Sequence, residues 1–136
     1  MNLQEGDALP TIEKHVTQER IAQYANASGD FNPVHLDKEF ASGTQFGGTI
    51  AHGMLILAFI SEMLTEAFRE NWSTSGRLKI RFRNPVRPGE TVHTFGQVKK
   101  VRNSDGAQVV TCSVGVRNAD GEVAISGDAT VNIASG

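Results

Sequence analysis

The chain has 136 residues, 39% of them hydrophobic and 21% charged, and a net charge of -2. That is one domain's length with enough apolar residues to build a core, which excludes disorder as the main state. The near-neutral balance argues against sequence-independent nucleic-acid binding, which needs clustered positive charge, and a single cysteine excludes an intramolecular disulfide, a cysteine-based zinc site and an iron–sulfur cluster.

The start of the chain shows no basic segment followed by an apolar one, so no signal peptide is expected. The longest apolar run, Met54 to Ile60, is far short of the ~20 residues of a membrane span. The expectation is a cytoplasmic protein with one domain over residues 1–136. Its patterns are helical before about residue 75 and strand-like after it.

In chain order, a helix is predicted to begin at Thr17. That residue can cap the first turn, and Glu19 suits the positive end of the dipole. Ile21, Tyr24 and Ala25 form its apolar stripe, and Ser28-Gly29 ends it. Asp30 to His35 reads as loop because Pro33 disfavours helix at Asn32. Asp37 is placed to cap a short turn through Phe40-Ala41, and residues 42–49, with three glycines, read as loop. Residues 53–68 form the strongest predicted helix. Its first two turns are apolar on every side, which implies burial on every side, and one stripe continues to Phe68.

Four strands follow. Leu78, Ile80 and Phe82 share one face of the first, with Arg77, Lys79, Arg81 and Arg83 on the other. Residues 84–89 connect to a strand over 90–101. A turn is predicted at Asn103-Ser104-Asp105-Gly106, then a strand over 107–117 with Val110, Cys112, Val114 and Val116 on one face. Asn118-Ala119-Asp120-Gly121 is a second turn before the last strand, marked by Val123, Ile125, Ala129, Val131 and Ile133. A fully apolar helix beside a meander requires a sheet that curls around it, an α+β architecture.

Two segments carry candidate chemistry. The first, Ser28-Gly29-Asp30-Phe31-Asn32-Pro33-Val34-His35, puts a carboxylate, an amide and an imidazole within six residues. Asp30 and His35 could hold one water between them and handle its protons. The plainer reading is a helix-ending turn in which Asp30 and Asn32 cap backbone groups. The second segment, Ala51-His52-Gly53-Met54, places a bare glycine at a helix N-terminus, where N–H groups lack internal partners and the dipole is positive. Gly53 there could give its N–H to a developing oxyanion. The plainer reading is a tight entry residue beside a structural histidine.

These segments, with Phe82-x-x-Pro85-Val86-x-x-Gly89-Glu90 downstream, resemble the MaoC-like, (R)-specific enoyl-CoA hydratases of the hot-dog-fold superfamily, from about Gly6 to the C-terminus. The resemblance implies a single hot-dog fold, an antiparallel sheet wrapped around a long buried central helix. It implies Asp30 and His35 as the catalytic pair, Asn32 and Ser61 as supporting residues, and Gly53 as the donor to the thioester carbonyl. It implies no metal and no organic cofactor, an acyl-CoA or acyl-ACP thioester as substrate, and a homodimer. Glu90 departs from the commoner aspartate at a position without a catalytic role.

The function so implied is reversible addition of water to a trans-2-enoyl-CoA, giving the (R)-3-hydroxyacyl-CoA. A 3-hydroxyacyl-ACP dehydratase subunit keeps the chemistry and changes the carrier. A non-catalytic acyl-thioester-binding partner subunit is the reading from another class, and retention of both Asp30 and His35 speaks against it. Thioesterase activity fits the loop motif less well. Elsewhere, Cys112 is expected to be packing, His15 and His93 surface or structural, and His35-x-Asp37 only half a metal site. The stripe Arg77, Lys79, Arg81 and Arg83, with Arg87 beyond it, is either a solvent face or a contact for coenzyme A phosphates.

Overall fold

Residues 3–134 are described in a computed structural model; residues 1–2 and 135–136, the ends of the expected 1–136 domain, lie outside the described residues. The order is β1 (Glu13–His15), α1 (Gln18–Ser28), α2 (Pro33–Leu36), α3 (Lys38–Ser42), α4 (Gly53–Phe68), α5 (Glu70–Ser75), β2 (Arg77–Phe82), β3 (Thr91–Ser104), β4 (Ala107–Arg117) and β5 (Val123–Ala134). The strands form one antiparallel sheet in the order β1-β3-β4-β5-β2. None of the helices among the described residues is long and apolar enough to cross a membrane.

α1 starts and stops as its residues dictate. The Thr17 hydroxyl accepts from the Arg20 N–H, and Gly29 closes the helix at φ 78°, its N–H donating to the Ala25 carbonyl at 2.9 Å. Ile21 and Ala25, one turn apart, are buried. Asp37 caps α3 by accepting from the Phe40 N–H.

α4 has the predicted bounds and packs on β3, β4 and β5. Ile56, Ile60, Met63, Leu64 and Phe68 are buried at spacings of three and four, as a helix on a sheet requires. Val110, Cys112, Val114 and Val116 of β4 meet them in one core with Ile125, Ala129 and Val131 of β5. Burial pushes the Cys112 thiol up to about 11, so it packs as a protonated apolar group.

Coverage of α4 is less complete than its composition suggests. Met54 is 56% exposed, and Ala58, one turn on, is also exposed. The sheet covers one side of the helix, and within a single chain this stripe faces outward. The other differences are local. Strand β1, Glu13-Lys14-His15, carries no apolar signal; it is held by its pairing to residues 91–93. The six residues of α5 are mostly polar, and α2 turns one helical turn from the segment read as loop. The β3–β4 turn is tighter than predicted. Asp105 and Gly106 both adopt positive φ, 43° and 78°, and Ser104 and Ala107 already pair, which is a two-residue hairpin turn.

The connection after β2 is tied down by Glu90. Its carboxylate accepts from the Arg87 N–H and, at 2.8 Å, from the Ala119 N–H across the sheet end. Ala51 donates its N–H to the Val86 carbonyl at 2.7 Å, which fixes this connection beside the start of α4.

Candidate functional site

The left-handed turn at Gly29 sends the chain out of α1 at Asp30. One Asp30 carboxylate oxygen accepts from the Asn32 N–H at 3.2 Å, and the Asn32 side chain accepts from the Val34 N–H at 3.1 Å, capping α2. The capping expected for Asp30 and Asn32 therefore takes place. It occupies one oxygen of each side chain and leaves the second Asp30 oxygen, on an exposed residue, available.

Pro33, with its fixed φ, opens α2 at its first position, and the turn of helix carries His35 inward to half-buried surroundings. The His35 Nδ1 lies 2.8 Å from the Ile50 carbonyl. A carbonyl can only accept, so Nδ1 carries a proton and donates it there, which leaves Nε2 as the ring nitrogen not engaged by Ile50. Ile50 also donates its N–H to the Val34 carbonyl at 3.2 Å, binding this segment to α2 through the main chain.

His52 comes next along the chain and caps α4 without a side-chain bond to it. Its ring is 2% exposed and stacks on His35 with centroids 3.8 Å apart and planes at 25°. Tyr24 of α1 lies against it, tilted, at 4.9 Å. Its Nε2–H donates to the Asp30 carbonyl at 2.9 Å, and its Nδ1 has no hydrogen-bond partner among the described residues. The histidine that sequence reading left as a structural residue is thus the piece between Asp30 and His35.

Donor atoms of Asp30, His35 and His52 lie within 4.8 Å of one another. Two readings fit such a spacing. A metal ion would need the imidazole lone pairs to converge on a point about 2.0–2.1 Å from each nitrogen. Lone pairs lie in the ring plane, and stacked rings direct them side by side instead. A single water suits the spacing better, since two hydrogen bonds of about 2.8 Å meeting at its oxygen span roughly 4.5 Å.

Gly53 begins α4, and its N–H is one of those a helix start leaves without an internal partner. A cavity of about 480 Å³ reaches from His35 and Gly53 into the fold. Phe46, Ile50, Ile56, Phe82, Val86 and Ile125 are among the residues that make it largely apolar, and Arg83 and Asn84 stand at its wall. The Phe82 ring lies against Gly53: a Cβ at Gly53 would meet Phe82 Cε1 at 2.7 Å. Of these apolar lining residues, Phe82 and Val86 belong to the downstream motif, and the others to none. They come from the α3–α4 connection, α4, the end of β2, the β2–β3 connection and β5, and only the tertiary fold assembles them.

Asp30 bonds Asn32, Asp30 lies near His35, and His35 and Gly53 line one cavity. Ser61 is not among them. It sits eight residues along α4 from Gly53, about 12 Å at 1.5 Å per residue, and its hydroxyl accepts from Trp72 Nε1 at 3.2 Å. Trp72 is on α5, the helix without a sequence signal. Arg77, Lys79 and Arg81 lie on an exposed face, and Arg83 donates from Nε to the Ser126 hydroxyl at 2.5 Å. His15 bonds Thr91, and His93 lies 3.7 Å from Glu13, both at the surface.

Residues 3–120 match a family described as MaoC like domain. The chain is 31% identical over 124 residues to the 3-hydroxybutyryl-CoA dehydratase of Methylorubrum extorquens, covering 90% of this chain and 76% of that one. It is 30% identical over 122 residues to the (R)-specific enoyl-CoA hydratase of Aeromonas caviae, covering 90% of both. The solved structure of an (R)-hydratase from A. caviae involved in PHA biosynthesis superposes with a TM-score of 0.81 at 28% identity, over 95% of this chain and 96% of that one.

Proposed function

Since this chain belongs to the MaoC-like domain family and folds as its hot-dog members do, we propose that it is an (R)-specific enoyl-CoA hydratase, a hydro-lyase acting on acyl-CoA thioesters. The observation that carries the assignment is the grouping of Asp30 with His35, side-chain atoms of which lie within 4.8 Å of one another, beside an apolar cavity that His35 and the helix-start residue Gly53 both line.

The chemistry follows from those atoms. The acyl chain occupies the apolar cavity, and the thioester carbonyl accepts from the Gly53 N–H, so charge that builds on the enolate oxygen is stabilised by the helix start. In the mechanism proposed here His35 acts as a neutral ring whose Nδ1–H is committed to Ile50, so that Asp30 and His35 both accept from the water. Neither brings a proton of its own. The proton removed from water as its oxygen bonds to Cβ is therefore the one returned to Cα, from the same side. Syn addition is the stereochemical consequence, and dehydration of the (R)-3-hydroxyacyl thioester is its reverse. The thioester itself acidifies Cα, so the step balances without a metal or organic cofactor.

A homodimer is part of this proposal. Among the described residues β2 pairs only with β5, which leaves its other edge open, and Phe82 at its end and Met54 beside the cavity are each 56% exposed. A second copy meeting this edge satisfies the strand and covers both side chains. Residues 1–136 act in this reading as one domain, in the cytoplasm.

The test is to mix purified protein with crotonyl-CoA, follow loss of the conjugated enoyl thioester, and assign the product's configuration. (R)-3-hydroxybutyryl-CoA is expected. An (S) product refutes the geometry, and an inert enzyme refutes the assignment.

A further inference from the structure

We infer that His52 is a positioning residue for this reaction, the strut that holds Asp30 and His35 at the spacing a shared water requires. The inference rests on the hydratase reading for its chemical meaning, and on three contacts for its substance. The His52 Nε2–H reaches the Asp30 carbonyl at 2.9 Å. Its ring covers that of His35 at 3.8 Å between centroids. Tyr24 of α1 packs on it at 4.9 Å, so the ring is held from the helix that ends two residues before Asp30.

These contacts solve a mechanical problem in the fold. Asp30 is exposed and stands in a loop between α1 and a helix of one turn, and its side-chain bond to Asn32 is internal to that loop. Nothing in the loop fixes its distance from α4. His35 is bonded to Ile50 through Nδ1, which leaves rotation about that bond to be resisted by packing. His52 supplies both restraints from the residue directly before Gly53. The water-holding pair and the carbonyl-binding N–H are thereby referred to one point, the start of α4.

The identity of the residue is part of the argument. A buried imidazole with an unpartnered Nδ1 is unfavourable beside an apolar ring of the same shape. Phenylalanine reproduces the stacking; only a side chain with a donor at the Nε2 position also pins Asp30. Glutamine carries an N–H at about that reach, and so the two functions can be separated.

His52→Phe and His52→Gln test this, each alone and in an Asp30→Asn background, with crotonyl-CoA as substrate. His52→Phe is expected to lower kcat roughly 10- to 100-fold with KM within about threefold, the size of effect a displaced reacting group produces. His52→Gln is expected to return most of that loss. In the Asp30→Asn background His52→Phe should lower kcat by less than about threefold, because the group it positions is already disabled. A residue that merely held the fold would lower kcat by the same factor in both backgrounds, or lower Tm and leave kcat of the folded enzyme alone, and either result overturns the inference.

A second measurement uses no substrate and so judges His52 separately from the hydratase assignment. Backbone amide exchange at Asn32 and Val34, whose N–H groups bond within the Asp30 loop, should quicken in His52→Phe and recover in His52→Gln. Exchange unchanged by His52→Phe overturns the strut whatever thioester the enzyme prefers.

Discussion

At Asp30, capping and the proposed chemistry make different demands on the side chain, which makes them separable. Asparagine caps as well as aspartate, so Asp30→Asn keeps the bond to the Asn32 N–H and removes only the carboxylate's basicity. Asp30→Asn and His35→Gln should each lower turnover by about 10²–10⁴, the usual contribution of a positioned acid or base. Sharing one water, they should not add, and a double variant should be little worse than the weaker single variant. Steady-state kinetics on crotonyl-CoA decides; a fully active Asp30→Asn enzyme refutes the mechanism. Gly53 is constrained by the Phe82 ring, 2.7 Å from where a Cβ would stand, and in the proposed mechanism also by the approach of the carbonyl. Gly53→Val should lower turnover by roughly 10²–10³, the loss expected when an oxyanion donor is denied. Phe82 is half out in solvent and can swing aside, so the fold should survive. Adding Phe82→Ala separates the two constraints: recovery of activity would assign the loss to the displaced ring, and none is expected. Cys112, buried and shifted upward to about 11, should resist iodoacetamide at pH 8 in the folded protein and react once it is unfolded, read by mass spectrometry.

Among the elements, α1 and α4 are written by local rules and the sheet by close approach. Loss of the Thr17 cap in Thr17→Ala should destabilise by about 1 kcal/mol without altering the site, measured by urea unfolding. The β5–β2 contact is tighter. A Cβ on Gly127 would run into the Lys79 carbonyl oxygen and meet the Ile80 Cα at 2.7 Å, and main-chain atoms cannot swing away as the Phe82 ring can. Gly127→Val should therefore destabilise by at least the 1–3 kcal/mol typical of overpacking. The same unfolding experiment tests it, and an unchanged midpoint would show that the strands can part. Because β2 is the edge strand, loosening it should also weaken any assembly formed through that edge.

For the whole molecule the open edge of β2 and the exposed stripe on α4 point the same way. Met54 and Ala58 lie on the stripe the chain's own sheet leaves uncovered, and Met54 with Phe82 forms the rim of the cavity. Sedimentation at micromolar concentration should give a dimer, and a purely 14.7 kDa species would refute it. Phe82→Asp should shift the equilibrium toward that monomer by placing a charge on the covered surface.

Read from sequence alone, the bounds of α4, the Thr17 and Gly29 ends of α1, the alternation of β4 and the motif residues Asp30, Asn32, His35 and Gly53 were all legible. Each depends on neighbours within a turn or two, through capping, periodicity or a fixed φ, and the MaoC-like resemblance rests on such short spacings. Tertiary structure alone decided the rest. Strand β1 exists only because residues 91–93 pair with it, and Ser61 turned to Trp72 because α5 folds back over α4. His52 acquired its place between Asp30 and His35 from a contact 22 residues apart in sequence. The cavity is drawn from stretches between residues 35 and 125, none of which encodes a hollow by itself. Local pattern specifies which way a side chain points on its own element. What it meets there depends on which distant element is packed opposite, and that is settled only when the sheet and helix close on one core.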